Sequence, residues 1–193
     1  MTTEAAKDHS DADCFLCVFL SHGDDGIVYG SDGDYDEKEL FDLFRGDRCP
    51  SLVGKPKIFI VQACRGSKFE EGVSLVEVDA ASTQNIYEVE EGTKPTIPSG
   101  ADFLISYSTS EGYFSHRDTC LGSWFIQDLV TVMKEYGSST EFTTLLTYVN
   151  SLVAKRAVER CLQKELVGKK QMPCFLSMLT KQLIFTPKRS NIK

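Results

Sequence analysis

The sequence predicts an α/β domain in which helices cover a mostly parallel β-sheet. Three observations carry that prediction. Apolar runs of strand length recur along the chain, segments with helical periodicity lie between and after them, and polar turn residues close the runs. With 193 residues, 41% of them hydrophobic, and no break in composition, the chain is expected to form one domain over 1–193.

The elements follow in order. Residues 14–20 (CFLCVFL) read as the first strand, and 36–45 (DEKELFDLFR) as a helix that gathers Leu40, Phe41 and Phe44 on one face. The runs 57–63 (KIFIVQA) and 102–107 (DFLISY) read as the next two strands. All three strands are continuous apolar runs, which predicts that both of their faces are covered. Residues 123–136 (SWFIQDLVTVMKEY) repeat with Ile126, Leu129, Val130 and Met133, the spacing of a second helix. Ser138 followed by Glu141 reads as a capping box for a third helix, whose stripe is Phe142, Leu145, Leu146, Val149, Leu152 and Val153. The last strand is expected over 174–185 (CFLSMLTKQLIF). There is no internal repeat.

Residues 67–98 show neither period and run to about twice the length at which a structureless loop in a compact domain becomes unusual. Seven acids against two lysines give this stretch −5 of the net charge of −7. A solvated linker is expected there, dividing a front segment that ends near Cys64 from a back segment that begins near Ile97. The charge balance disfavours nucleic acid and anionic membrane as partners, because both reward clustered Lys and Arg. The longest apolar run, CFLCVFL, is far below the roughly 18 residues of a membrane-spanning helix, and MTTEAAKDHSDAD does not read as a signal peptide. Seven cysteines at irregular spacings predict free thiols in a reducing, cytoplasmic compartment.

In open parallel sheets, ligands bind beyond the carboxyl ends of the strands. The first strand runs into His22 and the second into Cys64, so neighbouring strands would bring imidazole and thiol together. A thiol is a useful nucleophile only as thiolate, and an adjacent histidine is the usual activator. The other histidines are His9, in the polar leader, and His116, in a loop after the third strand. A lone cysteine at a strand end is most often a small buried hydrophobe, and a histidine before glycine is most often a turn residue. Found together at corresponding strand ends, they point to nucleophilic catalysis. Gly23 would let a backbone N–H approach a developing oxyanion, with the Cys64 N–H as a second donor. Cys14 and Cys17 point to opposite faces of a strand and lack a second pair, so they read as packing residues; no metal and no cofactor is expected.

QACRG at 62–66, with SHG at 21–23 placing its histidine 42 residues upstream of the cysteine, resembles the caspase family. GKPKIFIVQACRG, GADFLISYST, GYFSHR, GSWFIQDL, the EYGSS that precedes EF, and KKQMPCFLSMLTKQL extend the resemblance to effector members over nearly the whole chain. The resemblance implies a three-layer caspase-like fold and a cysteine endopeptidase that cleaves proteins after an exposed aspartate, with an effector role in apoptosis. It makes Cys64 the group that attacks the scissile carbonyl and His22 the donor of a proton to the leaving amine. Gly23 and Cys64 would hold the oxyanion. Gln62, Ser115 and Arg117 would line the pocket for the substrate aspartate, as a desolvated carboxylate requires of its partners, and Phe114, His116, Trp124 and Gln127 would line neighbouring subsites. A homodimer through 174–185 is also implied.

Family members carry an amino-terminal stretch with two further strands, a helix and a second arginine of the aspartate pocket, and this sequence is expected to lack it. The sheet would then have four strands where the family has six, with 14–20 as an apolar edge. Two readings follow: a protease made as a zymogen, and a truncated, catalytically impaired chain that acts by dimerisation or binding. Asp79, the one aspartate between Cys64 and Asp102, is the expected processing site. Cleavage there would leave a large subunit of residues 1–79 and a small subunit of residues 80–193, with 67–98 as the intersubunit linker.

Overall fold

The structure is a computed structural model that describes residues 1–73, 97–118, 122–159 and 161–186, with the side chains of Arg117 and Asp118 outside the description. A short helix, α1 (Thr2–Ala5), precedes strand β1 (Phe15–Leu20). A three-stranded antiparallel sheet of β2 (Gly23–Asp24), β3 (Ile27–Tyr29) and β4 (Asp34–Asp36) leads into α2 (Glu37–Asp42). Then come β5 (Lys57–Gln62), β6 (Phe103–Tyr107), the hairpin β7 (Arg117–Asp118) and β8 (Gly122–Ser123), the helices α3 (Trp124–Tyr136) and α4 (Phe142–Lys155), and β9 (Cys174–Ser177).

The main sheet has the order β1-β5-β6-β9, with the first three strands parallel and β9 antiparallel to β6. This is the expected mostly parallel, four-stranded α/β sheet. Its two faces bury separate cores. On one face, Phe41 and Phe44 near α2 pack with Phe59, Val61 and Phe103, and Phe15, Cys17 and Phe19 of β1 lean against them. On the other face, Phe125, Val132, Leu145, Leu146, Val149 and Val153 of α3 and α4 cover Ile58, Ile60 and Leu104. Alternate residues of β5 point to opposite faces, so one apolar run feeds both cores. Among the described residues no helix is long and apolar enough to cross a membrane.

Three expectations need correction. β1 is covered on one face, not two: Leu16, Val18 and Leu20 are 52%, 49% and 65% exposed, because the two long helices lie over β5 and β6 and stop short of the edge. The last strand ends at Ser177 rather than at 185. Asp102, held at φ 63°, accepts hydrogen bonds from the Thr180 amide at 3.0 Å and its hydroxyl at 2.6 Å, and this draws the chain out of the ladder. Leu179, Leu183 and Phe185 then pack on the helical core. Finally, Ser138 does not cap α4. The Ser139 and Thr140 amides still bond to the Tyr136 carbonyl, and Glu141 itself is the cap, its side chain accepting from the Thr144 amide at 3.0 Å.

Candidate active site

β1 and β5 run in parallel register with Leu20 opposite Gln62, so both strands end at the same level. The chain leaving β1 carries His22 and the chain leaving β5 carries Cys64, and both residues line a cleft of about 580 Å³ with Gly23, Gly66 and Phe114. Gly23 is a requirement of this packing. A Cβ at that position would lie 3.0 Å from the Cys64 carbonyl oxygen and 2.5 Å from that of Ile27, so any side chain would push the histidine turn off the cysteine turn. The turn after the nucleophile is tied down by its backbone. Arg65 N–H donates to the Tyr113 carbonyl at 3.0 Å, and Lys68 N–H donates to that of Gly112 at 2.9 Å. Gly66, at φ 137°, crosses Gly112 so closely that a Cβ would sit 2.5 Å from its backbone.

A larger cleft of about 970 Å³ adjoins the first and shares His22 and Cys64; Gln62, Ser115, Ser123, Ile126 and Gln127 line it further along. Gln62 donates from Nε2 to the Ser115 hydroxyl at 2.7 Å, while its Oε1 is buried without a hydrogen-bond partner among the described residues. The Cys64 thiol points to the Ser115 carbonyl at 3.9 Å. Thus Gln62, Ser115, Cys64 and His22 share one cleft. The Arg117 backbone lies in β7, paired with Ser123 two residues beyond Ser115, and its side chain lies outside the description.

The expected subsite residues form an aromatic ladder. The His116 ring lies 4.9 Å from that of Trp124, the first residue of α3, and its Nε2 lies 3.1 Å from the Lys170 carbonyl oxygen, to which it donates. Burial pushes the His116 pKa down, and the Lys170 carbonyl opposes that by favouring the protonated ring. Phe114 stacks at 4.6 Å on Phe69, a residue of the expected linker. Gln127 donates to the Gly122 carbonyl at 2.8 Å, and Arg156 holds it from behind while pairing with both oxygens of Asp128. Arg156 and Phe69 carry no signal in the sequence, since neither stands in a motif or a periodic stripe, and Asp128 falls within GSWFIQDL without a role assigned to it there.

Gln171 is the other residue that sequence reasoning missed. It is 1% exposed, its Oε1 accepts from the His116 amide at 2.5 Å and its Nε2 donates to the Ser108 carbonyl at 2.6 Å. It therefore pins the loop of Ser115 and His116 to the end of β6. Gln171→Ala is expected to cost about 1–3 kcal/mol of stability, since it leaves two buried backbone groups unpaired. Chemical denaturation checks this.

The caspase-domain family profile matches residues 2–184. The chain is 52% identical over 189 residues to caspase-6 of Mus musculus, covering 96% of this chain and 68% of that protein. It is 46% identical over 181 residues to caspase-7 of Gallus gallus, covering 94% and 58% of the two. The crystal structure of caspase-1 from Spodoptera frugiperda superposes with a TM-score of 0.86 at 38% identity, covering 99% of this chain and 70% of that one.

Proposed function

The chain belongs to the caspase family, and from that premise we propose that it is a cysteine endopeptidase cleaving proteins after aspartate, an apoptotic effector made as a zymogen processed at Asp79. One observation carries this reading: Cys64 and His22 leave the carboxyl ends of paired parallel strands into one cleft, with Gly23 packed against the Cys64 carbonyl. In this mechanism the Cys64 thiolate attacks the scissile carbonyl, and the Gly23 and Cys64 amides stabilise the oxyanion. His22 gives its proton to the leaving amine, and water then releases the acyl group. Gln62, Ser115 and Arg117 receive the aspartate carboxylate, while Phe114, His116, Trp124 and Gln127 contact the residues before it.

Asp79 lies outside the described residues. The linker start, however, is held beside the cleft, with Phe69 on Phe114 and Lys170 N–H donating to the Glu70 carbonyl at 3.0 Å. A cut at Asp79 would separate a large subunit, residues 1–79, from a small subunit, residues 80–193. The test incubates the full chain and reads the masses of its products, then compares peptides with Asp, Glu or Asn at the cleavage position. Fragments ending at Asp79 and cleavage of the Asp peptide alone are expected; a cut elsewhere, or equal use of the Glu peptide, would overturn the assignment.

A binding role is favoured by a different observation, the two exposed sheet edges. β1 shows Leu16, Val18 and Leu20 to solvent, and beyond β6 the edge strand β9 and the segment after it show Leu176, Met178 and Ile184. Pairing of two copies through 174–185 would cover the second set. Light scattering of the chain and of a Leu176→Lys variant tests it, with a dimer expected for the first and a monomer for the second.

A further inference from the structure

Behind the nucleophile lies a buried polar cluster that neither the peptide chemistry nor the substrate cleft uses. The guanidinium of Arg65, the residue after Cys64, lies 3.8 Å from the centroid of the Tyr107 ring at the end of β6. Its Nε is buried with no hydrogen-bond partner among the described residues, and the Cys174 thiol at the start of β9, which donates to the Thr109 carbonyl at 3.7 Å, lies beside the same side chain. Glu37, the first residue of α2, is 3% exposed; the Tyr107 hydroxyl reaches its carboxyl group, while Oε1 is buried without a partner among the described residues.

A buried guanidinium needs a nearby anion. Glu111 lies 3.9 Å from Arg65, but its side chain is 72% exposed, where solvent screens such pairs. Glu37 is the buried acid of the cluster; it lies beyond ion-pair distance of Arg65 and is linked to it through Tyr107. Burial pushes its pKa up, and the Arg65 charge and the Tyr107 hydroxyl pull it back toward the ionised form. Asp36 and Asp25 face it from the hairpin side and oppose ionisation.

We propose that Glu37 is a positioning residue for the nucleophile: with Tyr107 it holds the Arg65 guanidinium behind the Cys64–Gly66 turn, and so keeps the thiol in its place beside Ser115. Without the carboxylate, Arg65 keeps only the solvent-screened Glu111 as a counter-charge and shifts further toward it and solvent. The Cys64 backbone, one bond away, moves with it, and a misplacement of about 1 Å at a reacting group costs on the order of a hundredfold in rate.

This inference rests on the protease reading, so the test has one arm that needs no proteolysis. Full-length wild type, Glu37→Gln, Glu37→Asp, Tyr107→Phe and the Glu37→Gln/Tyr107→Phe pair are compared for kcat and KM on an aspartyl peptide. The rate of Cys64 alkylation by iodoacetamide, read by mass spectrometry, is compared in parallel. Glu37→Gln is expected to lower kcat about tenfold or more with KM within about twofold, and to change Cys64 alkylation at least about threefold. Glu37→Asp should recover part of both, and Tyr107→Phe should add little to Glu37→Gln, because coupled residues are not additive. If wild type cleaves no peptide while alkylation still responds to Glu37, the protease reading fails and the positioning role stands. Unchanged kcat and alkylation in Glu37→Gln overturn the role, as does a loss that follows Tm and is not recovered by Glu37→Asp. Should Glu37→Gln fail to fold, Tyr107→Phe removes the same link and is judged by the same two readouts.

Discussion

Cys64→Ala is expected to leave no measurable peptide cleavage in a protein that still folds. Cys64 carries the one thiol among the described residues that line the cleft shared with His22, and the turn carrying it is held by main-chain bonds from Arg65 to Tyr113 and from Lys68 to Gly112, which alanine does not touch. Loss of the side chain therefore removes chemistry and spares architecture. His22→Ala should be nearly as damaging, by about a hundredfold to ten-thousandfold in kcat, the usual contribution of a general acid–base. Its ring is exposed at the mouth of the cleft, so the change should barely move Tm. The check is turnover of an aspartyl peptide alongside a thermal melt, and cleavage retained by Cys64→Ala would refute the mechanism.

The largest effect on stability is expected from Phe59→Ala. Phe59 is fully buried in the middle of the central strand β5, and its ring sits 4.7 Å from Phe41, 5.7 Å from Phe44, 5.8 Å from Phe15 and 6.0 Å from Phe103. These rings come from β1, β6, α2 and the turn after α2, so the cavity left by alanine is walled by four different segments and cannot collapse by moving one of them. A cost of about 3–5 kcal/mol follows for a buried Phe→Ala, which for a chain of this size is on the order of a 10 °C fall in Tm. Leu16→Ala in the edge strand is the control. Its side chain already faces solvent, so a change within about 0.5 kcal/mol is expected. Equal losses in the two variants by urea titration would contradict the one-sided cover of β1.

Much of the fold is legible in local patterns. The runs 57–63 and 102–107 form β5 and β6 to within one residue at each end, and the 3.6-residue stripes form α3 and α4. Pattern and structure part where a side chain competes with the backbone repeat. Asp102 captures Thr180 and ends β9 early, and Glu141 caps α4 in place of Ser138. The start of the linker reads as solvated from its charge, yet Phe69 stacks on Phe114 and the Lys169 ammonium pairs with Glu71.

By itself, the sequence determined which residues are apolar at which period, that strands alternate with helices, and that a histidine and a cysteine stand just past two strands. Each of these is written in neighbouring residues, where the repeat of the backbone and the chemistry of a turn act directly. Only the tertiary structure decided that β1 lies beside β5, that Gly23 meets the Cys64 carbonyl, and that Gln171 reaches back 55 residues to the His116 amide. It also set Glu37, Arg65 and Tyr107 into one buried cluster and Arg156 against Asp128. These partners come from separate elements and share no period, because they meet only when the parallel strands align and the helices close over them. Their positions follow from packing and from the need of each buried polar group for a partner, conditions that do not exist until the chain is folded.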